Sequence, residues 1–374
     1  MSKTTALVFE GGQPEGGITQ QMLSVRYATC LDTIELLLSL PDHYGEVVLA
    51  TNYDDLASAA LQMGAIIHRT ADADFHFGQV LQQLVFERQA ENVLYLSGAG
   101  SPLLTREEFI GIAEALAQNE QYLIVNNVQS ADIVGWTPGA AISTIVPPQL
   151  DNALGYALRR EAKLPRHLMP HSVGVHFDID TPTDIQMARL IGLGGERMNA
   201  AMNALPWELD RYHWLRDELA KKDRIPGIWL SGRIGGPVIQ HINSNIHARL
   251  RVVSEERGMK SMGTEGSVCS FVGSYIDSTG FDGFFRYLEQ SVDLALIDTR
   301  PLFAHFKLQQ TDNDRFSSDL GYWEHIEEAW IRDFTKAASE ARIPIILGGH
   351  TLILGGIWAL IESIRQERRE SAGS

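Results

Sequence analysis

The stretch His176-Phe-Asp-Ile-Asp-Thr-Pro-Thr-Asp184 joins a predicted strand, Gly174–Asp178, to a predicted helix that begins at its proline. Proline suits the first turn of a helix, and Asp180 or Thr181 is a suitable N-cap. Asp178 and Asp180 lie two residues apart, so an extended strand end would present both carboxylates on one side. Mg²⁺ takes one or two carboxylates together with substrate phosphates. The stretch therefore predicts a metal site at Asp178 and Asp180, while helix capping is the simpler interpretation.

Strand-like and helical patterns alternate through the whole N-terminal half. The predicted strands are Ala6–Phe9, Gly45–Thr51, Ala65–His68, Asn92–Leu96 and Gln121–Val125. The predicted helices are Ile18–Leu40, Asp54–Met63, Gly78–Gln89, Arg106–Gln118 and Asp151–Glu161. This alternation predicts an α/β fold with a Rossmann-like, mostly parallel sheet covered by helices on both faces.

The second half begins a new α/β pattern. Its predicted helices are Pro206–Lys222, Pro237–Arg249 and Tyr322–Glu340, and its predicted strands are Gly227–Ser231, Val292–Asp298 and Ile343–Leu347. The spacing does not match the first half, so no internal repeat is indicated. We therefore expect two domains, 1–200 and 206–374, with the boundary in the glycine-rich region 192–205.

Composition indicates a globular protein that binds small molecules. Among 374 residues, 44% are hydrophobic and 21% charged, ordinary proportions for a soluble protein. No apolar run approaches the roughly 18 residues that span a bilayer. Cys30 and Cys269 are far apart in the sequence and lie in no metal-binding motif, so we expect a cytoplasmic protein without disulfides or structural zinc.

The formal net charge of −16 argues against a broad nucleic-acid footprint, because such binding depends on clustered Lys and Arg. A small ligand is the better expectation, and a membrane partner is not indicated. The sequence leaves the oligomeric state open, and a homo-oligomer is one of the outcomes.

Two glycine-rich loops follow predicted strands, where α/β sheets generally bind ligands. In Glu10–Gly17, the backbone at Gly11 and Gly12 would approach phosphates closely, since glycine has no side chain. In Ser97–Thr105, small residues would admit a nucleoside, the candidates being Gly98, Gly100 and Ser101. Asn126 follows a third strand and would read a base or sugar. Surface turns are the simpler interpretation of all three segments.

These segments occur in the order found in one enzyme family. Ala6-Leu-Val-Phe-Glu-Gly-Gly12, Gly78 at a helix start, Val93-Leu-Tyr-Leu-Ser-Gly-Ala-Gly-Ser-Pro-Leu-Leu-Thr105 and Asp178-Ile-Asp-Thr-Pro-Thr-Asp-Ile185 resemble the motifs of MobA-like nucleotidyltransferases, which have a GT-A-like fold. The resemblance covers roughly the first 200 residues. It implies binding of a nucleoside triphosphate and transfer of a nucleotidyl group to a small phosphorylated acceptor, with Mg²⁺ at Asp178 and Asp180.

Two departures from the family pattern leave other functions open. Residues 98–101 contain no carboxylate where the family places a metal-binding aspartate, and the first loop lacks the expected arginine and lysine, although Arg26 could substitute in space. Loss of these charges should severely reduce nucleotidyl transfer. The alternative is a degenerate domain that binds a nucleotide or a partner without catalysis, so the sequence leaves open whether this domain is an enzyme.

The second half carries its own candidate anion site. Arg233 lies in the glycine-rich loop Ser231–Pro237, and His350 and Arg300 each follow a predicted strand, so we expect the three to converge. Arg249, Arg251, Arg257 and Lys260 form the one basic cluster in an acidic sequence. A phosphate or carboxylate ligand would explain the cluster, and so would a solvated surface. A third hypothesis therefore places the active site in this half.

Overall fold

The computed structural model describes residues 2–14, 16–70, 75–221, 223–259 and 263–373. The chain divides into two compact units. The first comprises the described residues of 1–14, 23–178 and 194–198, and the second those of 15–22, 179–193 and 199–374. The division into domains 1–200 and 206–374 stays a prediction, because compactness alone does not test which part folds independently. Lys260 of the basic cluster lies outside the described residues.

In chain order the strands are β1 (Thr4–Phe9), β2 (Tyr44–Thr51), β3 (Ile66–Arg69), β4 (Asn92–Ser97), β5 (Tyr122–Val125), β6 (Ile133–Thr137), β7 (Arg166–Leu168), β8 (Gly227–Gly232), β9 (Arg249–Ser254), β10 (Leu294–Asp298) and β11 (Ile345–Gly348). The helices are α1 (Gly17–Leu38), α2 (Asp54–Met63), α3 (Phe77–Glu87), α4 (Arg106–Ala117), α5 (Leu154–Arg160), α6 (Val173–His176), α7 (Pro182–Ile191), α8 (Glu196–Asn203), α9 (Asp210–Ala220), α10 (Gly236–Asn245), α11 (Phe271–Ser291), α12 (Arg300–His305), α13 (Asp312–Leu320), α14 (Ala329–Ser339) and α15 (Gly355–Gly373).

The first unit contains a seven-stranded sheet of order β3-β2-β1-β4-β6-β5-β7. All neighbouring strands are parallel except β6, which runs antiparallel to β4 and β5. Both faces are buried: in β1, Ala6 and Val8 pack into one hydrophobic core, and Leu7 and Phe9 pack into the other. This confirms the predicted α/β class with a mostly parallel sheet covered on both faces.

One predicted strand of this half is wrong. The segment predicted as Gly174–Asp178 begins instead with the short helix α6, whose N-cap Ser172 accepts a hydrogen bond from the Val175 N–H at 3.2 Å. A Cβ at Gly174 would lie 2.6 Å from the Leu103 carbonyl oxygen, so this turn packs directly against another loop. Local capping and close packing therefore override the apolar pattern that suggested a strand.

The second unit contains a four-stranded, fully parallel sheet of order β11-β10-β8-β9. Its strand β9 was not predicted, because it is only partly buried and carries arginines at alternate positions. The predicted helix Tyr322–Glu340 is shorter in the structure, where Trp323–His325 forms a short 3-10 helix and the α-helix α14 covers Ala329–Ser339. The Glu328 carboxylate accepts the Ile331 N–H at 2.8 Å and so begins the helix there.

Helix α7 begins where the sequence predicts it. Thr181 is its N-cap, Pro182 takes the first turn, and Asp184 completes a capping box. The helix belongs to the second unit, where the Thr183 hydroxyl donates to the Leu347 carbonyl oxygen at 2.7 Å. No helix in the described ranges is long and apolar enough to cross a membrane.

A capping box at the start of α4 gives a stability prediction. The Thr105 hydroxyl accepts the Glu108 N–H at 3.2 Å, and the Glu108 carboxylate accepts the Thr105 N–H at 2.8 Å. We expect Thr105→Ala to lower the free energy of unfolding by about 1 kcal/mol, because the side-chain acceptor is lost. Urea denaturation checks this value, and Thr105→Ser, which keeps the hydroxyl, should cost clearly less. Equal losses in both variants would contradict the capping role.

Candidate functional site

The first unit has its topological switch point between β1 and β4. The chain passes from β1 to β2 on one side and returns through β4 on the other. Phe9 and Ser97 are register partners, and the Gly98 N–H donates to the Phe9 carbonyl oxygen at 2.8 Å. The loops that follow β1 and β4 therefore lie side by side at the carboxyl edge of the sheet, where open α/β sheets bind ligands.

A buried carboxylate that was not among the predicted site residues occupies this edge. A Cβ placed on Gly98 would lie 2.6 Å from both the Cβ and the Oε2 of Glu10, so glycine is required there. The Glu10 side chain is 1% exposed and accepts two hydrogen bonds from Arg26, at 2.9 Å from Nε and 3.1 Å from Nη2. The loop Ser97–Thr105 has no acidic residue of its own, and the carboxylate of Glu10, which directly follows β1, lies against it. The available signal was an acidic residue directly after the apolar run Ala6–Phe9.

Asn52 fixes the loop at Gly11 and Gly12. Its Oδ1 accepts the Gly12 N–H at 3.1 Å, and its Nδ2 donates to the Gly12 carbonyl oxygen at 2.8 Å. A Cβ at Gly11 would lie 2.7 Å from the same Oδ1. Because the Gly12 N–H is already engaged, its approach to a phosphate requires Asn52 to move or share the bond. Asn52 is a second residue that sequence analysis missed.

The remaining residues of the predicted nucleotide site differ in the hydrogen bonds that their side chains already make. Ser101 is 2% exposed, and its hydroxyl makes no hydrogen bond to the described residues. A Cβ at Gly100 would lie 2.9 Å from the Ser97 Cβ. The Asn126 carboxamide accepts the Asp132 N–H at 3.2 Å and donates to the Val175 carbonyl oxygen at 3.4 Å. Asn126 therefore organises its own loop, and its contact with a ligand stays a prediction.

Cys30 is not suited to nucleophilic chemistry. Burial raises the pKa of its thiol well above the usual value, and the negative charge of Glu10 adds to this effect. The thiol is therefore neutral at pH 7, whereas the reactive species of cysteine is the thiolate.

Asp178 and Asp180 lie where the chain passes from one unit to the other. Asp178 is 7% exposed and is the last residue of its segment in the first unit, and Asp180 belongs to the second. The Asp180 N–H donates to the Asp184 carboxylate at 3.0 Å, so Asp184 serves as a cap. Within the second unit, Asp180 and His350 offer ligand atoms within 4.8 Å of each other. This pairing was not predicted from the sequence.

The second sheet has its switch point between β8 and β10, and two buried ion pairs lie at the ends of these strands. Asp298 accepts hydrogen bonds from Arg233 at 2.6 Å from Nε and 3.1 Å from Nη2. Arg300 donates to Asp319 at 2.7 Å from Nη2 and 3.1 Å from Nη1. The side chains of Asp298 and Asp319 are fully buried. The predicted residues Arg233 and Arg300 are thus each matched with an aspartate.

Positive charge near Asp298 keeps its carboxylate ionised. Burial opposes the ionised carboxylate, but the adjacent Arg233, with smaller contributions from His350 and Arg300, holds the pKa of Asp298 below its usual value. The structure therefore brings Arg233, Arg300 and His350 close enough to act electrostatically on one carboxylate. Whether these residues bind an external anion stays a proposal.

Comparison with known proteins shows a weak likeness to nucleotidyltransferases. No family model matches the chain, and no curated protein matches it significantly. A CMP-2-keto-3-deoxy-manno-octonic acid synthetase complexed with CTP aligns with 51% of this chain and 98% of its own, at 12% identity and a TM-score of 0.38.

Two further solved structures align to a similar extent. A nucleotidyl transferase from Methanothermobacter aligns with 49% of this chain and 94% of its own, at 12% identity and a TM-score of 0.38. A cytidylyltransferase from Leptospira borgpetersenii aligns with 54% of this chain and 92% of its own, at 11% identity and a TM-score of 0.37. At TM-scores below 0.5, this likeness assigns neither a substrate nor a reaction to the chain.

Proposed function

We propose that the first unit binds a nucleoside triphosphate at the β1–β4 edge and transfers its nucleotidyl group to a small phosphorylated acceptor. The observation that carries the proposal is the juxtaposition of Glu10 and Gly98 at the switch point, which sets two glycine-rich loops side by side. The motif order shared with MobA-like nucleotidyltransferases supports the same reaction class.

In this proposal each of the two loops contacts a different part of the nucleotide. Gly11 and Gly12 approach the phosphates, while Gly98, Gly100 and Ser101 flank the nucleoside, with Asn126 at the rim. The buried, unbonded hydroxyl of Ser101 is a ready donor for a base or ribose oxygen. The acceptor oxygen forms a bond to the α-phosphorus as the bond from that phosphorus to the leaving oxygen breaks, and pyrophosphate departs with the bonding electron pair.

Asp178 and Asp180 would hold Mg²⁺ in this reaction. The fit rests on donor chemistry, because carboxylate oxygens are the protein ligands that Mg²⁺ prefers, and its remaining positions go to water and substrate phosphates. When bound, the cation would neutralise charge on the phosphates.

A second candidate function is nucleotide binding without catalysis. Residues 98–101 have no carboxylate, and both oxygens of the nearby Glu10 carboxylate already accept hydrogen bonds from Arg26. An arginine-paired carboxylate is a poorer metal ligand than a free one, since the cation competes for the same lone pairs. This arrangement favours a domain that binds the nucleotide but does not catalyse transfer of the nucleotidyl group.

Calorimetric titration of the full chain with the four nucleoside triphosphates, with and without Mg²⁺, tests the binding step shared by both candidates. We expect at least one triphosphate to bind. Gly98→Ala should weaken its binding at least about tenfold, because the new Cβ would lie 2.6 Å from the Glu10 Cβ and must displace that side chain.

The matched control is Gly111→Ala, where a Cβ meets no atom within 4 Å, and it should leave the affinity unchanged. If none of the four triphosphates binds to the unmodified protein, both candidate functions are wrong. Release of pyrophosphate separates the two candidates, since only the transferase produces it.

A further inference from the structure

In the second unit, the loops that follow β8 and β9 meet at the carboxyl edge of the sheet. Gly232 and Ser254 are register partners at the ends of these strands. A Cβ at Gly235 would lie 3.1 Å from Nη1 and 3.3 Å from Cζ of Arg257. Gly235 has φ −104° and ψ 151°, which any residue adopts, so contact with the guanidinium is what favours glycine there. The Arg257 guanidinium thus packs directly against the backbone of Gly235, which has no side chain.

Arg257 differs from the other arginines at this edge because no carboxylate in the described part of the chain matches its charge. Arg233 and Arg300 form ion pairs with buried aspartates, whereas Arg257 makes no ion pair or side-chain hydrogen bond to the described residues. Its neighbour Glu255 is engaged elsewhere, since its carboxylate accepts the Phe271 N–H at 2.8 Å at the start of α11. A partly buried cation without a counter-ion is costly unless an anion completes it.

The backbone beneath Arg257 is also suited to an anion. Helix α10, ten residues long, begins at Gly236, and its N-cap Gly235 offers no side chain to cap the first turn. The N–H groups and the positive end of the helix dipole at such a terminus favour negative charge. A guanidinium and a helix N-terminus therefore lie next to each other, and both favour negative charge.

The place in the fold is consistent with a ligand site. The β8 loop adjoins the switch point between β8 and β10, the position where open α/β sheets bind ligands. At the end of β11, Thr351 is 1% exposed, and its hydroxyl makes no hydrogen bond to the described residues. Unmatched polar groups thus occur at the ends of two different strands of this sheet.

From these contacts we infer that the second unit binds the phosphate group of a small molecule beside the contact of Arg257 with Gly235, on the guanidinium and the adjacent backbone N–H groups of Gly235–Gly236. Arg257 is the anchoring cation. Arg233, Arg300 and His350 lie near the adjoining strand ends, and the hydrogen bonds from Arg233 to Asp298 hold the loop that follows β8. This site is separate from the nucleotide site proposed for the first unit, and neither depends on the other.

Calorimetric titration of the full chain with inorganic phosphate tests the inference, and acetate at equal ionic strength tests whether a phosphate oxyanion is required. We expect phosphate to bind and acetate to bind at least about tenfold more weakly. Arg257→Gln should weaken phosphate binding at least about tenfold, and Gly235→Ala about threefold, because its methyl group must push the guanidinium aside. The matched control Arg251→Gln, on β9, should have no effect.

Each outcome decides the inference. Failure of the unmodified protein to bind phosphate overturns it, as does equal affinity in the unmodified protein and Arg257→Gln. Loss of phosphate binding in Arg257→Gln, with phosphate binding retained in both Arg251→Gln and Gly98→Ala, supports the inference and places the phosphate in the second unit. If Arg257→Gln lowers the melting temperature, the phosphate affinity of Gly235→Ala is used instead. An unchanged phosphate affinity in Gly235→Ala would then overturn the inference.

Discussion

Replacing Asp298 with asparagine is expected to lower the free energy of unfolding by about 3 kcal/mol, since removal of one partner of a buried ion pair leaves the other charge uncompensated. Asp298 is 1% exposed and accepts the Arg233 Nε at 2.6 Å, the Arg233 N–H at 3.2 Å and the Arg300 N–H at 3.2 Å. The value is at the low end for buried pairs because the Arg233 side chain is 19% exposed and keeps some solvation.

Chemical denaturation at pH 7 measures this effect, and peptide-resolved hydrogen exchange locates it. The loss of protection should appear in β8 and β10. Asp333→Asn is the control, since Asp333 pairs with Arg332 at 3.2 Å on the surface, where its side chain is 58% exposed. An exposed pair of this kind contributes at most about 1 kcal/mol. Equal losses in the two variants would show that burial of the Asp298 pair has no special energetic role.

The same substitution predicts a pH dependence with a definite sign. The pKa of Asp298 is lower in the folded protein than in the unfolded chain, where it is about 3.9. Its contribution to stability is therefore complete above the unfolded pKa and is lost as the pH falls toward the folded pKa. The stability difference between the unmodified protein and Asp298→Asn should shrink below about pH 4. A difference that grows in acid would contradict the lowered pKa.

Replacing Asp178 with asparagine is expected to reduce pyrophosphate release on the order of a hundredfold, if the first unit is a transferase. Asp178 is a buried carboxylate, 7% exposed, and with Asp180 it supplies the proposed metal ligands. Asparagine keeps the shape but removes the negative charge, so binding of the cation weakens while the backbone is preserved. A coupled pyrophosphate assay with each triphosphate and a sugar phosphate acceptor measures the rate.

The control for this experiment is Asp217→Asn, an exposed acidic residue of α9, which should leave the rate unchanged. Binding of the triphosphate without Mg²⁺ should be similar in the unmodified protein and in Asp178→Asn, because the lost charge acts through the metal. An unchanged rate in Asp178→Asn would exclude Asp178 as a metal ligand. Absence of pyrophosphate from the unmodified protein would leave binding without catalysis as the function.

The amino-acid sequence determined the features that depend on neighbouring residues. The alternation of apolar strands and amphipathic helices predicted the α/β class and the parallel sheet, and Thr181 with Pro182 predicted the start of α7. These signals are local, because strand periodicity and helix capping involve residues within about four positions of each other. The same locality explains the error at 174–178, where packing of Gly174 against Leu103 decides the conformation.

Only the tertiary structure decided which strand ends are neighbours. It set Glu10 against Gly98, paired Arg233 with Asp298 across 65 positions, and brought Asp180 near His350. It also placed Arg257 over Gly235, the contact on which the phosphate site rests. Strand order is fixed by the burial of whole sheet faces and by the course of the crossover connections, which no short segment encodes. Most candidate residues could therefore be named from the sequence, but Glu10, Asn52 and the partners of the others could not.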